Sequence, residues 1–85
     1  KIKTGGSTFK NPIEQTSIKV WELIKKSVPL ESKFGDAKIS NKHCNFLVNS
    51  SEATFNDMKK LIEFVRKNVR LKTGIKLETE IEIIE

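Results

Sequence analysis

A single cysteine, Cys44, stands in a chain of 85 residues that also holds one histidine, one tryptophan, one methionine, two prolines and no tyrosine. One cysteine excludes an internal disulfide and any zinc-finger spacing, so no metal site is expected and the reading is a reducing, cytoplasmic setting. No apolar run approaches the ~20 residues that a membrane helix needs. No apolar signal core follows Lys1-Ile2-Lys3 either, so neither a span nor a secretory leader is expected. A chain that opens on lysine rather than methionine reads as a piece of a longer polypeptide.

Several chemistries are also missing at the level of motifs. No G-x-S-x-G elbow surrounds a serine, so the strained strand-to-helix turn that exposes a hydrolase nucleophile is not foreseen. Lys10 does not sit in a G-x-x-x-x-G-K-[ST] loop, which removes the phosphate cradle of P-loop enzymes. There is no RNP1-like aromatic strand and no G-x-x-G loop, which weakens an RNA-binding reading.

Acidic residues are scarce until the end of the chain. The net charge is +5, yet four of the eleven acids, Glu78, Glu80, Glu82 and Glu85, fall in the last eight residues. Residues 1–76 carry all sixteen basic residues against seven acids. Such a surface favours anionic partners, whether nucleic acid or phosphorylated metabolites.

Periodicity gives the organisation. Thr16 and Ser17 are N-cap candidates for a first helix in which Val20, Trp21, Ile24 and Val28 recur at helical spacing, with Pro29 ending it. Two short strands, Ala37–Ser40 and Asn45–Asn49, follow a polar loop around Gly35 and form a hairpin-like pair. Thr54 caps a second, longer helix with Asp57 at the capping-box position, and Met58, Leu61, Ile62, Val65 and Val69 make its apolar stripe. Gly74 suits its C-terminal cap. In the last segment Ile75, Leu77, Thr79, Ile81 and Ile83 alternate with Lys76, Glu78, Glu80 and Glu82, which predicts a strand with one buried face.

With an N-terminal strand included, the order is β-α-β-β-α-β. Two amphipathic helices on one face of a small sheet would bury both stripes, so the expected fold is an α+β two-layer sandwich. Residues 1–85 read as one domain. A domain this small buries only somewhat more than roughly 60% of its unfolded surface, so its core is modest.

Candidate chemistry concentrates in Gly5-Gly6-Ser7-Thr8-Phe9-Lys10-Asn11-Pro12, a shaped turn entering a short strand, in which Pro12 restricts Asn11 to extended geometry. Ser7 is a general acid, a nucleophile or a turn former bonded to its own backbone, and spacing alone favours the turn. His43 and Cys44 are adjacent, but neighbours in an extended chain point to opposite faces, so a structural histidine and a small core-type cysteine are favoured over a dyad. The glutamates of the last strand are a solvated charged face, unless one of them lines a cleft and is equipped there for proton or enol chemistry. Lys59, Lys60, Arg66, Lys67 and Arg70 read as the solvated back of the second helix.

Four ordered blocks add to these residues. They are Gly5 to Pro12, then Val20-Trp21-Glu22-Leu23-Ile24, then Ala37 through Asn49 with Lys42-His43-Cys44-Asn45-Phe46 at its centre, and finally Leu77-Glu78-Thr79-Glu80-Ile81-Glu82-Ile83-Ile84. Together they resemble the C-terminal, substrate-binding domain of the UDP-N-acetylenolpyruvoylglucosamine reductase (MurB) family across nearly the whole chain. The resemblance implies a bacterial cytosolic oxidoreductase of peptidoglycan-precursor synthesis. In it NADPH reduces FAD, and the reduced flavin passes hydride to UDP-N-acetylglucosamine enolpyruvate to give UDP-N-acetylmuramate.

By the same resemblance Ser7 falls at the proton donor and Glu80 at the catalytic glutamate, while Asn11 matches an asparagine that helps hold the substrate. Lys10 is read beside it as a substrate-binding cation. The FAD-binding domain and a catalytic arginine would lie in a missing N-terminal portion, leaving the isolated 85-residue chain inactive and free of cofactor. The chain departs from the family pattern at Asp36, where glycine is usual, at Glu82, where a basic residue is common, and at Glu85, where glycine is usual. Aspartate tolerates the left-handed backbone region better than most residues. Two other readings remain on the residues: a degenerate, non-catalytic domain, and a small basic RNA-binding αβ module.

Overall fold

Thr54, Asp57 and Gly74 bracket the longest element of the computed structural model, which describes residues 7–40, 42–49 and 51–80. This helix, α2, runs Phe55–Thr73. Thr54 Oγ1 accepts from the Asp57 N–H at 3.1 Å and Asp57 Oδ2 accepts from the Thr54 N–H at 3.0 Å, a reciprocal capping box. At the other end Gly74 takes φ 77° and its N–H donates to the Arg70 carbonyl. Met58, Leu61, Ile62, Val65 and Val69 are buried along one stripe. Each such side chain contributes roughly 1.5–3 kcal/mol on burial, against ~1 kcal/mol for a cap. The stripe therefore holds the helix, and the cap sets where it begins.

The first helix, α1, spans Val20–Ser27 and starts later than Thr16 or Ser17 would require. Its N-cap is Lys19, which offers no side-chain acceptor. Asn11 supplies one instead, since its Oδ1 accepts from the Val20 N–H at 2.9 Å, satisfying an orphan donor of the helix from outside it. Thr16 is spent on a local turn, where its hydroxyl accepts from the Ile18 N–H. The buried face is Val20, Leu23, Ile24 and Ser27, continued by Val28. Trp21, expected on that stripe, is 42% exposed because it lies one step round the helix from Val20.

Three short strands follow: β1 (Lys33–Phe34), β2 (Ala37–Ile39) and β3 (Leu47–Asn49), antiparallel in the order β1-β2-β3. The β2–β3 pair is the hairpin foreseen around residues 37–49, with Ile39 opposite Leu47. β1 escaped the sequence reading because two residues carry no period. Its turn into β2 is Gly35-Asp36, with Gly35 at φ 58°. Asp36, which stands where the family pattern has glycine, keeps a negative φ, so the substitution demands no left-handed aspartate. Its Oδ2 accepts from the Glu52 N–H at 2.9 Å and ties this turn to the approach to α2.

The overall class is α+β, as expected, with a finer order than β-α-β-β-α-β. The first and last segments meet through one antiparallel bridge, Phe9 to Thr79, rather than forming long strands among the described residues. Helix α2 contacts each of β1, β2 and β3, while α1 lies against α2. Phe9, Leu77, the stripes of both helices, Ala37, Ile39 and Leu47 join in one apolar cluster. Thr79, expected on the buried face, is exposed, so among the described residues the buried alternation of the last segment reaches Leu77. Ile81, Glu82, Ile83 and Glu85, like Gly5 and Gly6, lie outside the described residues.

Candidate functional site

Ser7, Glu80, Asn11 and Lys10 are reached through the pairing of the two terminal segments. Flanking the Phe9–Thr79 bridge, the Lys10 N–H donates to the Glu78 carbonyl at 2.9 Å and the Glu80 N–H donates to the Thr8 carbonyl at 2.7 Å. This register brings Glu80 opposite Thr8, one residue from Ser7. Strict alternation would send residues 7 and 80 to opposite faces. The chain bends at Thr8, next to Ser7. Ser7 is half-buried, whereas Lys10, Glu78 and Glu80 are exposed.

The next strand over secures this edge. The Thr8 N–H donates to the Asn45 carbonyl at 2.8 Å, and the Leu47 N–H donates to Thr8 Oγ1 at 3.1 Å. Phe9 is gripped at both backbone polar atoms by the Asn45 side chain, whose Oδ1 accepts from the Phe9 N–H and whose Nδ2 donates to the Phe9 carbonyl, both at 3.0 Å. Asn45, Thr8 and Phe9 are each buried. Periodicity gave no sign of this role for Asn45, because a polar residue in a turn reads as a turn former; its place in the run His43-Cys44-Asn45-Phe46 was the available signal.

Lys10 and Asn11 line a groove of about 290 Å³ with Glu14, Gln15, Lys76 and Glu78 among its walls. Asn11 Oδ1 is already committed to the N-terminus of α1, so one end of its amide is structural. The groove combines side chains of both charges, Lys10, Lys76, Glu14 and Glu78, with the apolar Pro12 and Ile13.

His43 and Cys44 do not make a dyad. The segment turns here instead of running extended: the Phe46 N–H donates to the His43 carbonyl and the Asn45 N–H donates to His43 Nδ1. The imidazole stacks on Phe46 with centroids 4.7 Å apart. The Cys44 thiol donates to the Trp21 carbonyl at 3.0 Å. Burial pushes that thiol above its ordinary pKa, against smaller opposing effects of a backbone hydrogen bond and the Lys25 ammonium, which is the reverse of an activated nucleophile. Both residues border a wider depression of about 670 Å³ with Trp21, Lys25, Leu30, Ser40 and Lys42.

The basic residues of α2 are exposed, and Arg66 bonds Glu63 at 3.1 Å. Among the described residues no group of three or more histidine, cysteine or acidic side chains could hold a metal ion, and no helix is long and apolar enough to cross a membrane.

Comparison with known proteins decides the family. Residues 1–84 match the model of the UDP-N-acetylenolpyruvoylglucosamine reductase C-terminal domain. The chain belongs to that family. It is 67% identical over 85 residues to the UDP-N-acetylenolpyruvoylglucosamine reductase of Pelagibacter ubique (strain HTCC1062), an alignment that takes in 100% of this chain and 28% of the relative. The reductase of the same name from Beijerinckia indica is 48% identical over 79 residues, covering 93% of this chain and 24% of the relative. That of Rickettsia canadensis is 44% identical over 84 residues, covering 99% and 28%. The chain thus spans about a quarter of the length of these reductases. Within the reductase family fold, the Ser7 turn and Glu80 are held on adjoining segments, and Asn11 and Lys10 continue the first of them.

Proposed function

We propose that this chain is the substrate-binding domain of a reductase acting on UDP-N-acetylglucosamine enolpyruvate in the cytoplasm, with Ser7 as proton donor and Glu80 as the group that stabilises the enolate. The observation that carries the reading is the 2.7 Å bond from the Glu80 N–H to the Thr8 carbonyl. It joins two segments about seventy residues apart into one edge, which supports a site built from Ser7 on one segment and Glu80 on the other.

Bound FAD, recharged by NADPH, supplies the hydride. The set at the terminal edge, a hydroxyl, a carboxylate and the exposed Lys10, Glu78 and Thr79, fits the enolpyruvyl carboxylate of a sugar nucleotide and not a planar isoalloxazine. By the family reading the flavin is held by the portion of the longer enzyme outside these residues, and the isolated chain is inactive.

Once hydride has reached the methylene carbon, the double-bond electron pair moves onto the substrate carboxylate as an enolate. Glu80 shares a proton with that carboxylate and so stabilises the charge where it develops. The Ser7 hydroxyl then gives its proton to the α-carbon, from the face opposite the incoming hydride, and the enolate electrons return to form the new C–H bond. A hydroxyl is acid enough because the acceptor is carbanion-like and the resulting alkoxide is reprotonated locally. Lys10 and Asn11 extend the same edge and contact the sugar nucleotide, Asn11 through the part of its amide not committed to α1.

The test is a pair of half-reactions in the full-length reductase. Ser7→Ala leaves flavin reduction by NADPH intact and slows flavin reoxidation by the enolpyruvyl substrate by about 10²–10⁴-fold. Reoxidation at the wild-type rate refutes the assignment. Loss of UDP-sugar binding together with absence of activity in the wild-type enzyme would instead mark a degenerate domain.

A further inference from the structure

We infer that Asn45 is the positioning residue for Ser7, an inference that rests on the proton-donor reading above. All the backbone polar atoms of Thr8 and Phe9 are bonded, and Asn45 makes three of those bonds: its main-chain carbonyl takes the Thr8 N–H, its Oδ1 takes the Phe9 N–H, and its Nδ2 donates to the Phe9 carbonyl. The Thr8 carbonyl is taken by the Glu80 N–H. One amide side chain thus acts as a residue of strand at a point that β3, which begins at Leu47, does not reach.

Asparagine is the side chain this geometry needs. The grip requires one donor and one acceptor at the separation of a peptide group. Aspartate has no donor, leucine has neither, and glutamine carries an extra methylene that would push the strand outward. At 3% exposure no water can take over the lost bonds, so a defect here moves the backbone. Asn45 is itself held, with its N–H on His43 Nδ1 at 3.2 Å inside the turn closed by the Phe46 N–H and the His43 carbonyl.

Ser7 directly precedes Thr8, whose N–H is held by the Asn45 main-chain carbonyl, and the Asn45 side chain holds Phe9 beside it. Proton transfer to carbon tolerates little misplacement, since a shift of ~1 Å can cost about 10²-fold in rate. Asn45 therefore acts through the backbone of residues 8 and 9 and does not touch the reacting atoms.

The experiment uses the full-length reductase as Asn45→Leu, Ser7→Ala and the double variant, reading flavin reduction by NADPH and flavin reoxidation by the enolpyruvyl substrate separately. Asn45→Leu is expected to reduce its flavin normally, to retain UDP-sugar affinity, and to reoxidise about 10²-fold more slowly. The double variant is expected to be no slower than Ser7→Ala alone, because a residue acting through Ser7 has nothing left to position. Multiplying penalties in the double variant overturn the inference, as does an Asn45→Leu enzyme that melts earlier yet reoxidises at the wild-type rate. Should Asn45→Leu fail to fold, Asn45→Asp decides: it keeps the acceptor for the Phe9 N–H and removes the donor to the Phe9 carbonyl, and slowed reoxidation with normal flavin reduction supports the inference while a wild-type rate overturns it. Ser7→Ala by itself reports on the proton-donor reading, so the two failures are told apart.

Discussion

Gln15 and Lys76 exchange two hydrogen bonds: Gln15 Nε2 donates to the Lys76 carbonyl at 2.8 Å and the Lys76 N–H donates to Gln15 Oε1 at 2.9 Å. The register that sets Lys10 against Glu78 would set Pro12 against Lys76, and proline has no N–H to offer. The Gln15 amide supplies the missing donor and acceptor. Asn45 does the same for Phe9, so side-chain amides stand in for backbone partners at two places along the terminal segments.

Removing this patch should loosen the last segment without disturbing the helices. Gln15→Ala forfeits two exposed bonds, and since water can replace exposed partners the expected loss is about 1 kcal/mol in denaturant unfolding. Hydrogen exchange should accelerate at the Lys76 amide and leave the Leu47 amide protected. An unchanged Lys76 amide would contradict the role given to Gln15.

Gly35 and Gly74 separate two costs of adding a side chain. Both sit at positive φ, 58° and 77°, but a Cβ at Gly35 would run into the Asp57 carboxylate while one at Gly74 meets open space. Gly74→Ala should cost about 1 kcal/mol for the backbone alone. Gly35→Ala should cost about 2 kcal/mol or more, because displacing Asp57 also breaks the capping box of α2. Denaturant unfolding of the two variants side by side checks the order, and a smaller loss at Gly35 would refute it.

The Cys44 thiol gives stability a pH dependence of defined sign. Burial raises its folded pKa, so on alkalinisation the unfolded chain releases this proton first. The stabilisation is complete below the ordinary thiol pKa and is lost as pH rises through the higher folded value. The stability difference between the wild type and Cys44→Ala should therefore shrink from pH 8 upward. The effect is small, because the thiol is only partly buried. Alkylation of Cys44 should also be slower in the folded chain than in urea, and equal rates would contradict the burial argument.

Strong local signals made α2 legible: its cap, capping box, stripe and terminal glycine are where spacing puts them. The hairpin of β2 and β3 was legible for the same reason. The start of α1 was not, because its capping acceptor comes from Asn11, nine residues away. Nor was the exposure of Thr79, since alternation says which face a residue takes but not where the core beneath it ends. At the site, four ordered motif blocks identified the family and singled out Ser7, Glu80, Asn11 and Lys10. Asn45, Thr8 and Gln15 went unnoticed in their supporting roles, which depend on contacts between segments distant in sequence.

Ser7 and Glu80 acting together at one edge is the central claim, and Glu80→Gln tests it most directly when compared with Ser7→Ala in the full-length reductase. By stopped-flow absorbance of the flavin, both variants should be reduced by NADPH at the wild-type rate, and both should be slowed in reoxidation by the enolpyruvyl substrate, by about 10²-fold or more. A Glu80→Gln enzyme that loses NADPH oxidation selectively, or that reoxidises as fast as wild type, would contradict it.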